Sequence, residues 1–253
     1  MKSVTRDCEK NVKLLILSDI HGNQTALQAV LNYIESAYRI DACALLGDII
    51  DYGMHSNEVV QMLRNLKYPL VCNIYGNHEN SIVNEDYASF SSERGRQCAK
   101  YTRSILNDQT WYYIRNFMSD SGVIEFMVDG KKCLAVHGSL ENKYWKSIKP
   151  GQNLADYQMY DYVFSGHSHL PHFMEIFYEA DAPMYRNKKK TVFINPGSVG
   201  QPRNLNPMAQ CAVLDTVNGK VVLEKIAYNI KKEQEAYNGQ VDDFYKERLE
   251  RGV

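Results

Sequence analysis

The stretch VKLLILSDIHGNQTALQAVLNYIESAY, residues 12–38, decides the fold of this 253-residue chain. It begins with a continuous apolar run rich in branched side chains, which predicts a buried β-strand over residues 12–17. After the polar sequence Ser18-Asp19-Ile20-His21, apolar residues at positions 26, 27, 30, 31 and 34 recur at the spacing of one helix face. The stretch therefore predicts a strand, a polar loop and an amphipathic helix.

The same pattern recurs downstream. Residues 42–46 predict a second strand, a helix begins at Ser56 or Asn57, and residues 70–75 predict a third strand. Strands that alternate with amphipathic helices favour a parallel sheet covered on both faces. Later apolar runs predict a second, more antiparallel half, with strands over residues 123–128, 133–136, 162–164, 172–178, 191–194, 211–215 and 221–226.

Other segments fall outside this pattern. Residues 1–11 predict a polar tail, and the polar and aromatic residues 87–117 predict a helical excursion that either forms a lid or completes the core. Residues 230–251 predict one C-terminal surface helix, docked on its own domain or used in a dimer contact. Residues 187–190 predict a solvated turn. Both halves contribute polar clusters, so we interpret residues 1–253 as a single domain.

The composition excludes several classes of protein. The chain is 44% hydrophobic with a formal net charge of -1, so neither nucleic acid nor an anionic membrane is an expected partner. The six cysteines form no Cys-x-x-Cys pair and are predicted to be reduced core residues. The N-terminus lacks the apolar core of a signal peptide, and no run reaches the ~18 apolar residues of a membrane span. The cytoplasm is the predicted location.

Polar clusters follow several of the predicted strands and hold five of the seven histidines. They are Asp19-Ile20-His21, Gly47-Asp48, Gly76-Asn77-His78-Glu79, His137-Gly138 and Gly166-His167-Ser168-His169. Each cluster is common by itself. Open α/β sheets bind ligands beyond the carboxyl ends of their strands, where all these clusters stand, so together the clusters predict one site. Aspartate and histidine without cysteine favour Mn, Fe, Zn or Co, and Asp48, which follows a glycine, is the candidate bridge between two ions.

In their order these motifs resemble those of the calcineurin-like metallophosphoesterases over about residues 13–215. The segment 195–203, NPGSVGQPR, resembles the YfcE-like and diadenosine-tetraphosphatase-like branch of bacteria and archaea. The resemblance implies an α/β four-layer sandwich: two packed mixed β-sheets flanked by helices, with a binuclear metal site at the carboxyl ends of the strands. It implies two divalent ions, Mn or Fe first and Zn, Co or Ni as alternatives. One ion would take Asp19, His21, Asp48 and His169, and the other Asp48, Asn77, His137 and His167.

The resemblance also implies the catalytic roles. A hydroxide that bridges the two ions next to Asp48 would attack phosphorus, and His78 would stabilise the developing charge or protonate the leaving oxygen. Glu79 and Asp51 could orient the ligands or His78 from behind. Asp51 departs from the YfcE-like branch, which often has glycine at this position.

Two further histidines, His55 and His172, match no ligand position, and a solvated or core role is predicted for them.

The expected substrate is a small phosphodiester or phosphoanhydride. Tyr52 and Tyr75 stand where related protein phosphatases carry phosphate-binding arginines, which disfavours a protein phosphatase. A dinucleoside polyphosphate such as diadenosine tetraphosphate, cut to ATP and AMP, is one candidate. The alternatives are a generic phosphodiesterase or phosphomonoesterase, a cyclic-nucleotide phosphodiesterase, and a protein-binding scaffold without activity. A monomer and a homodimer both stay open.

Several residues are candidates for contacts with such a substrate. Asn23, Tyr52, Arg203, Arg94 and Arg96 are the predicted substrate-binding residues. The segment 87–117 adds Arg103 for phosphate and the aromatic side chains Phe90, Tyr101, Trp111 and Tyr112 for base stacking.

Overall fold

The structure is a computed structural model that describes residues 11–179, 184 and 189–253. Most of the predicted tail, 1–11, and part of the predicted turn, 187–190, lie outside the described residues. No helix in the described part of the chain is long and apolar enough to span a membrane.

Ten strands form two sheets. The strands are β1 (Lys13–Leu17), β2 (Ala42–Leu45), β3 (Leu70–Asn73), β4 (Val123–Val128), β5 (Lys131–Val136), β6 (Tyr162–Ser165), β7 (His172–Phe177), β8 (Lys190–Asn195), β9 (Ala209–Asp215) and β10 (Lys220–Ile226). The first sheet has the order β10-β9-β1-β2-β3, and the second has the order β4-β5-β6-β8-β7. Both are mixed. In the first sheet β1, β2 and β3 are parallel and form one side, and β9 and β10 add antiparallel pairs on the other side. In the second sheet β5, β6 and β8 form a parallel centre with the antiparallel strands β4 and β7 at its edges. This is the predicted pair of mixed sheets.

The two sheets pack face to face through alternate residues of their strands. In β1, Leu14 and Ile16 point into the core between the sheets, and they meet Phe164 and Ile194 of the second sheet. Leu15 and the other alternate residues point the opposite way, toward the helices. Because successive side chains of a strand point to opposite faces of the sheet, one set packs in the core between the sheets and the other in the core beneath the helices.

Helices cover the outer face of the first sheet. They are α1 (Gln24–Ala37), α2 (Ser56–Arg64), α3 (Asn77–Asn84), α4 (Glu93–Ile105) and α5 (Asp108–Phe117). Helix α1 begins where the side chain of Asn23 accepts a hydrogen bond from Ala26 N at 2.9 Å, and it buries the predicted apolar face. The outer face of the second sheet is covered by a segment that contains a 3₁₀ helix, Ala155–Tyr157. The predicted excursion 87–117 is helical, as α4 and α5.

The C-terminal segment corrects one prediction. The single helix predicted over 230–251 is wrong, because the segment forms two helices, α6 (Ile230–Gln234) and α7 (Phe244–Arg251). Helix α6 ends at Gln234, and Gly239 in the connection has φ +81°, a left-handed conformation that glycine adopts without strain. The spacing of the apolar residues on the two sides of this connection also fits one continuous helix, which is why a single helix was predicted.

The predicted core position of the cysteines is confirmed for the described residues. Cys43, Cys72, Cys98, Cys133 and Cys211 are buried and free.

Candidate metal centre

The loops that follow β1, β2, β5 and β6 meet at one end of the two sheets. Asp19 N donates a hydrogen bond to Gly47 O at 3.1 Å, which joins the loops after β1 and β2. Gly166 N donates to His137 O at 2.9 Å, which joins the loops after β5 and β6. Polar clusters far apart in the sequence therefore come together, as expected for the carboxyl ends of parallel strands.

Two glycines let the loops after β2 and β3 touch. Gly47 has φ +91°, and a Cβ atom on it would lie 2.3 Å from Gly76 N. A Cβ atom on Gly76 would in turn lie 2.0 Å from Asp48 Oδ1. Only glycine fits at these two positions, and the close approach brings Asp48 next to Asn77.

The backbone at the ends of these strands is strained. Residues other than glycine rarely adopt positive φ, and such strain is concentrated at functional sites. Five of the seven predicted ligands have φ between 49° and 63°: Asp19, His21, Asp48, His167 and His169. The strain turns these side chains inward, toward each other.

The first group of potential metal ligands contains Asp19, His21, Asp48 and His169, all buried, with one oxygen or nitrogen atom from each within 4.8 Å of the others. The Nε2 atoms of His21 and His169 are 3.2 Å apart. His169 Nε2 lies 3.1 Å from Asp19 Oδ1, and His21 Nε2 lies 3.7 Å from Asp48 Oδ2. Four potential ligand atoms thus surround one point.

The second group contains Asp48, His137 and His167. His137 Nε2 lies 3.2 Å from Asp48 Oδ2. Asn77 Oδ1 completes this group, because it is 3.0 Å from His137 Nε2 and 2.9 Å from His167 Nδ1. Asp48 belongs to both groups, as expected of a residue that bridges two ions.

Hydrogen bonds to backbone carbonyls determine which nitrogen of three histidines faces the site. The Nδ1 atom of His21 is 3.2 Å from Ile50 O, that of His137 is 2.7 Å from Leu46 O, and that of His169 is 2.5 Å from Gln201 O. A carbonyl oxygen only accepts, so each Nδ1 donates and Nε2 of each ring faces the site, with a free lone pair wherever the imidazole is neutral. Histidine ligands of metal ions are oriented in this way.

Burial and charge set the protonation of the site. Burial lowers the pKa of His167 to about 3 and, with repulsion from Arg203, that of His169 to about 4. Both imidazoles are therefore neutral, which is the form that binds metal ions. Burial also lowers the pKa of His137, but the carboxylate of Asp48 outweighs burial and raises it to about 9.

One carboxylate oxygen shows that the site fits a cation. Asp19 Oδ2 accepts hydrogen bonds from Ser18 Oγ at 2.5 Å and from His167 N at 3.1 Å. Asp19 Oδ1 is buried and faces the four-atom group, and within residues 11–179, 184 and 189–253 it accepts no hydrogen bond. A buried carboxylate oxygen without a partner is costly, and a divalent ion would satisfy it. The oxygen and nitrogen atoms of the site suit Mn, Fe or Zn.

His78 lies beside the two groups and is held by Asp51. Its Nδ1 donates to Asp51 Oδ2 at 2.6 Å, and Asp51 Oδ1 accepts from Thr102 Oγ1 of α4 at 2.7 Å. Burial lowers the pKa of His78, but Asp48 and Asp51 outweigh burial and raise it. His78 Nε2 lies 3.9 Å from Asp48 Oδ2, so a nitrogen that can carry a proton faces the shared carboxylate.

Glu79 holds the Asp48 loop from behind. Its carboxylate accepts four backbone N–H groups, those of Asp48, Ile49 and Gly76 at 2.8 Å and that of Ile50 at 3.2 Å. Burial raises the pKa of Glu79 to about 7, and the nearby charge of Asp48 acts in the same direction, against these hydrogen bonds. Glu79 therefore helps to orient Asp48, a potential ligand, by binding the backbone N–H groups of the Asp48 loop.

Three of the predicted substrate-binding residues lie at or near the potential ligands. The ring of Tyr52 lies 4.6 Å from that of His21, and the backbone N of Arg203 donates to His169 O at 3.4 Å. Asn23 follows the same loop, but its side chain caps α1 and donates to Gly200 O at 3.0 Å. Its polar atoms thus have partners in the protein, and a substrate contact stays a prediction.

The predicted arginines of α4 contact protein groups instead. The guanidinium of Arg94 lies 3.9 Å above the ring of Phe244, and Arg96 donates to Glu93 Oε2 at 2.8 Å. Arg103 donates to Glu85 Oε1 at 2.6 Å. None of these contacts is with a potential metal ligand, and the phosphate-binding roles of these arginines stay predictions.

The sequence analysis missed three residues near the site. The half-buried ring of Trp145 lies 6.1 Å from that of His167. Tyr245 of α7 stacks on Tyr52 at 4.6 Å, and the guanidinium of Arg248 lies 5.9 Å from the ring of Tyr52. The apolar helix face predicted for the C-terminal segment includes Tyr245. That pattern indicated that Tyr245 is buried, but not that it lies beside Tyr52.

Comparisons with known proteins agree with this geometry. The profile of the calcineurin-like phosphoesterase superfamily domain matches residues 12–219. The uncharacterized protein MJ0912 of Methanocaldococcus jannaschii is 28% identical over 228 residues, which cover 88% of this chain and 90% of that protein.

Solved structures share the fold. A metallophosphoesterase from Sphaerobacter thermophilus has 26% identity and a TM-score of 0.73, over 96% of this chain and 100% of its own. The hypothetical protein PH1004 from Pyrococcus horikoshii has 22% identity and a TM-score of 0.79, over 96% of this chain and 99% of its own.

Proposed function

This chain belongs to the calcineurin-like phosphoesterase superfamily, and from that premise we propose that it is a two-metal phosphohydrolase that cleaves small phosphodiesters or phosphoanhydrides. One observation carries the proposal: Asp48 belongs to two groups of potential ligands and lies beside His78, whose Nε2 is 3.9 Å from Asp48 Oδ2. Asp19, His21, Asp48 and His169 would hold one ion, and Asp48, Asn77, His137 and His167 the other.

The ions, Mn or Fe, would supply Lewis-acid activation of water and of the phosphate oxygens when bound. His78 would deliver a proton from Nε2 to the leaving oxygen, because Asp51 holds Nδ1 and the two carboxylates favour its charged form. Burial of His78 and its partners keeps bulk water from competing for that proton.

We propose dinucleoside polyphosphates, cleaved asymmetrically, as the substrate class. Tyr52 occupies a position that carries an arginine in protein phosphatases, and its ring packs at 4.4 Å against that of His78. The half-buried ring of Trp145, 6.1 Å from that of His167, would offer a surface for a base. These features support a small aromatic substrate over a phosphorylated protein chain.

A substrate panel tests the proposal. The purified protein with added Mn would be assayed on diadenosine tetraphosphate, bis(p-nitrophenyl) phosphate, cyclic AMP, AMP and a phosphopeptide, and the products would be identified. ATP plus AMP means asymmetric cleavage, whereas ADP alone means symmetric cleavage and contradicts the proposed route. Hydrolysis of the simple diester without any activity on the tetraphosphate would refute the proposed substrate class and leave a general phosphodiesterase.

Metal analysis and one variant test the mechanism. We expect about two ions per chain by mass spectrometry, and His78→Asn should lower kcat about 10²- to 10⁴-fold, the range for loss of a general acid. His172→Asn is the matched control, because Nδ1 of His172 lies 3.2 Å from Leu170 O and the residue belongs to neither group of potential ligands. A protein without bound ions or hydrolysis of any substrate would refute the enzyme function and favour a scaffold.

A further inference from the structure

An open cavity of about 540 Å³ lies on the outer side of α4 and α5. This volume falls in the range of about 300–1,000 Å³ that is usual for small-molecule sites. The residues that line the cavity are Arg103, Asp108, Trp111, Tyr112, Arg115 and Asn116. None of these six is a potential metal ligand, so the cavity shares no residue with the candidate metal centre.

Helix α5 turns its cavity residues away from the core. They recur three and four positions apart, which places them on one face of the helix, and the buried residues of α5 lie on the opposite face. The sequence analysis predicted Arg103 for phosphate, and Trp111 and Tyr112 for base stacking. The structure brings these three residues to one cavity.

Two guanidinium groups lie against the indole ring of Trp111. That of Arg115 is 4.8 Å from the ring centroid, and that of Arg103, which comes from α4, is 5.0 Å from it. Arg103 is held by two further contacts, because Nη1 donates to Ile82 O at 2.7 Å and Nη2 donates to Glu85 Oε1 at 2.6 Å. Cation–π contacts therefore hold two positive charges at one aromatic side chain.

Arg115 supplies the charge that the protein leaves available in this cavity. Among the described residues that line it, Arg103 and Arg115 are basic and Asp108 is acidic. Glu85 pairs with Arg103, whereas the guanidinium of Arg115 has no carboxylate within 4.0 Å in the described part of the chain. A planar guanidinium of this kind binds the oxygen atoms of a phosphate group in pairs.

Tyr112 adds an exposed aromatic surface next to Arg115. Its side chain is 58% exposed, and its ring meets that of Phe117 at a centroid distance of 5.8 Å and an interplanar angle of 65°. Such an edge-to-face contact leaves at least one face of the Tyr112 ring open. Tyr112 and Arg115 are three positions apart on the helix and therefore neighbours on its surface. An aromatic ring and a phosphate of the same ligand can reach both.

We propose that this cavity is a nucleotide-binding site separate from the metal centre, with the phosphates on Arg103 and Arg115 and the base stacked on Tyr112. The inference goes beyond the proposed function, because none of the residues that carry it takes part in the proposed hydrolysis. A nucleotide uses both the charges and the ring, whereas inorganic phosphate uses the charges alone.

The fluorescence of Trp111 tests the site. The chain has two tryptophans, so Trp145→Phe leaves Trp111 as the only one. Titration of this protein with a non-hydrolysable analogue of ATP should change the emission of Trp111 until the site is saturated. Adding Arg115→Gln should weaken binding about 10- to 100-fold, the range for hydrogen bonds to a charged group. Arg64→Gln is the matched control, since exposed Arg64 donates to Gln109 of α5 at 3.3 Å but does not line the cavity.

A second variant tests the base contact. Tyr112→Ala should weaken binding of the ATP analogue about 5- to 150-fold, the range for loss of one stacked base, and leave binding of inorganic tripolyphosphate unchanged. Arg115→Gln should weaken binding of both ligands. Emission that does not change with the analogue, or equal affinity with and without Arg115→Gln, would overturn the site. Equal affinity of the analogue with and without Tyr112→Ala would overturn the choice of a nucleotide as its ligand.

Discussion

Replacement of Asp51 with asparagine should slow the reaction by weakening the hold on His78. Asp51 Oδ2 accepts the Nδ1 proton of His78 at 2.6 Å, and asparagine keeps the shape of the side chain while it removes the charge. A hydrogen bond with a charged partner contributes about 1.5–3 kcal/mol. Because about 1.4 kcal/mol corresponds to a factor of ten in rate, kcat should fall about 10- to 150-fold.

The assay is a double-mutant cycle of Asp51→Asn and His78→Asn on the best substrate of the panel. If Asp51 acts only through His78, Asp51→Asn should cause little further loss in the His78→Asn background. Metal content should match that of the wild type, and Asp156→Asn, an exposed residue of the 3₁₀ helix, should behave as wild type. Losses that multiply in the double variant, or a loss of bound metal, would refute the reasoning.

Further predictions concern the loops, the pH dependence and the core. Gly76→Ala should abolish binding of at least one of the two ions, because the new Cβ would lie 2.0 Å from Asp48 Oδ1; mass spectrometry that finds both ions retained would contradict this. His55 Nδ1 lies 3.0 Å from Glu233 Oε1, and this hydrogen bond, more than the opposing burial, raises the pKa of His55. The pair therefore stabilises the fold fully below about pH 6.5 and loses its contribution as pH rises through the higher folded-state pKa. In urea unfolding, His55→Gln should lower the free energy of unfolding more at pH 5.5 than at pH 9. Equal losses at the two pH values would exclude this coupling between protonation and stability. Phe164→Ala should lower the free energy of unfolding by about 3–5 kcal/mol, the usual cost of truncating a fully buried phenylalanine. A loss below about 1 kcal/mol would contradict this and show that the two sheets move together to fill the space of the missing ring.

The strands and the first helices could be predicted because their signals are local. The continuous apolar run of β1 and the helical spacing after Asn23 depend only on neighbouring residues, so both elements can be predicted without the fold. The C-terminal segment shows the limit. Its apolar residues were correctly placed on buried faces, but the turn at Gly239 lies within a spacing that still fits one helix.

The residue types of the candidate site could also be predicted, but not their orientation. The clusters after the strands identified seven side chains that the structure brings together. Which nitrogen faces the site depends on carbonyls from other loops: Leu46 for His137, and Gln201 for His169. Such pairings depend on how the two sheets face each other, which no local pattern records.

Local periodicity and the order of short motifs were enough to predict the strands, the class of ligand atoms and the residues at the strand ends, whereas the two packed sheets were implied by the family resemblance of those motifs. Only the tertiary structure decided which atoms face each other. The role of Asp51 stayed open until α4 placed Thr102 against it, and no local pattern indicated that α7 buries Arg248 beside Tyr52. Contacts between distant segments depend on packing and desolvation across the whole fold, and these act only once the chain has folded.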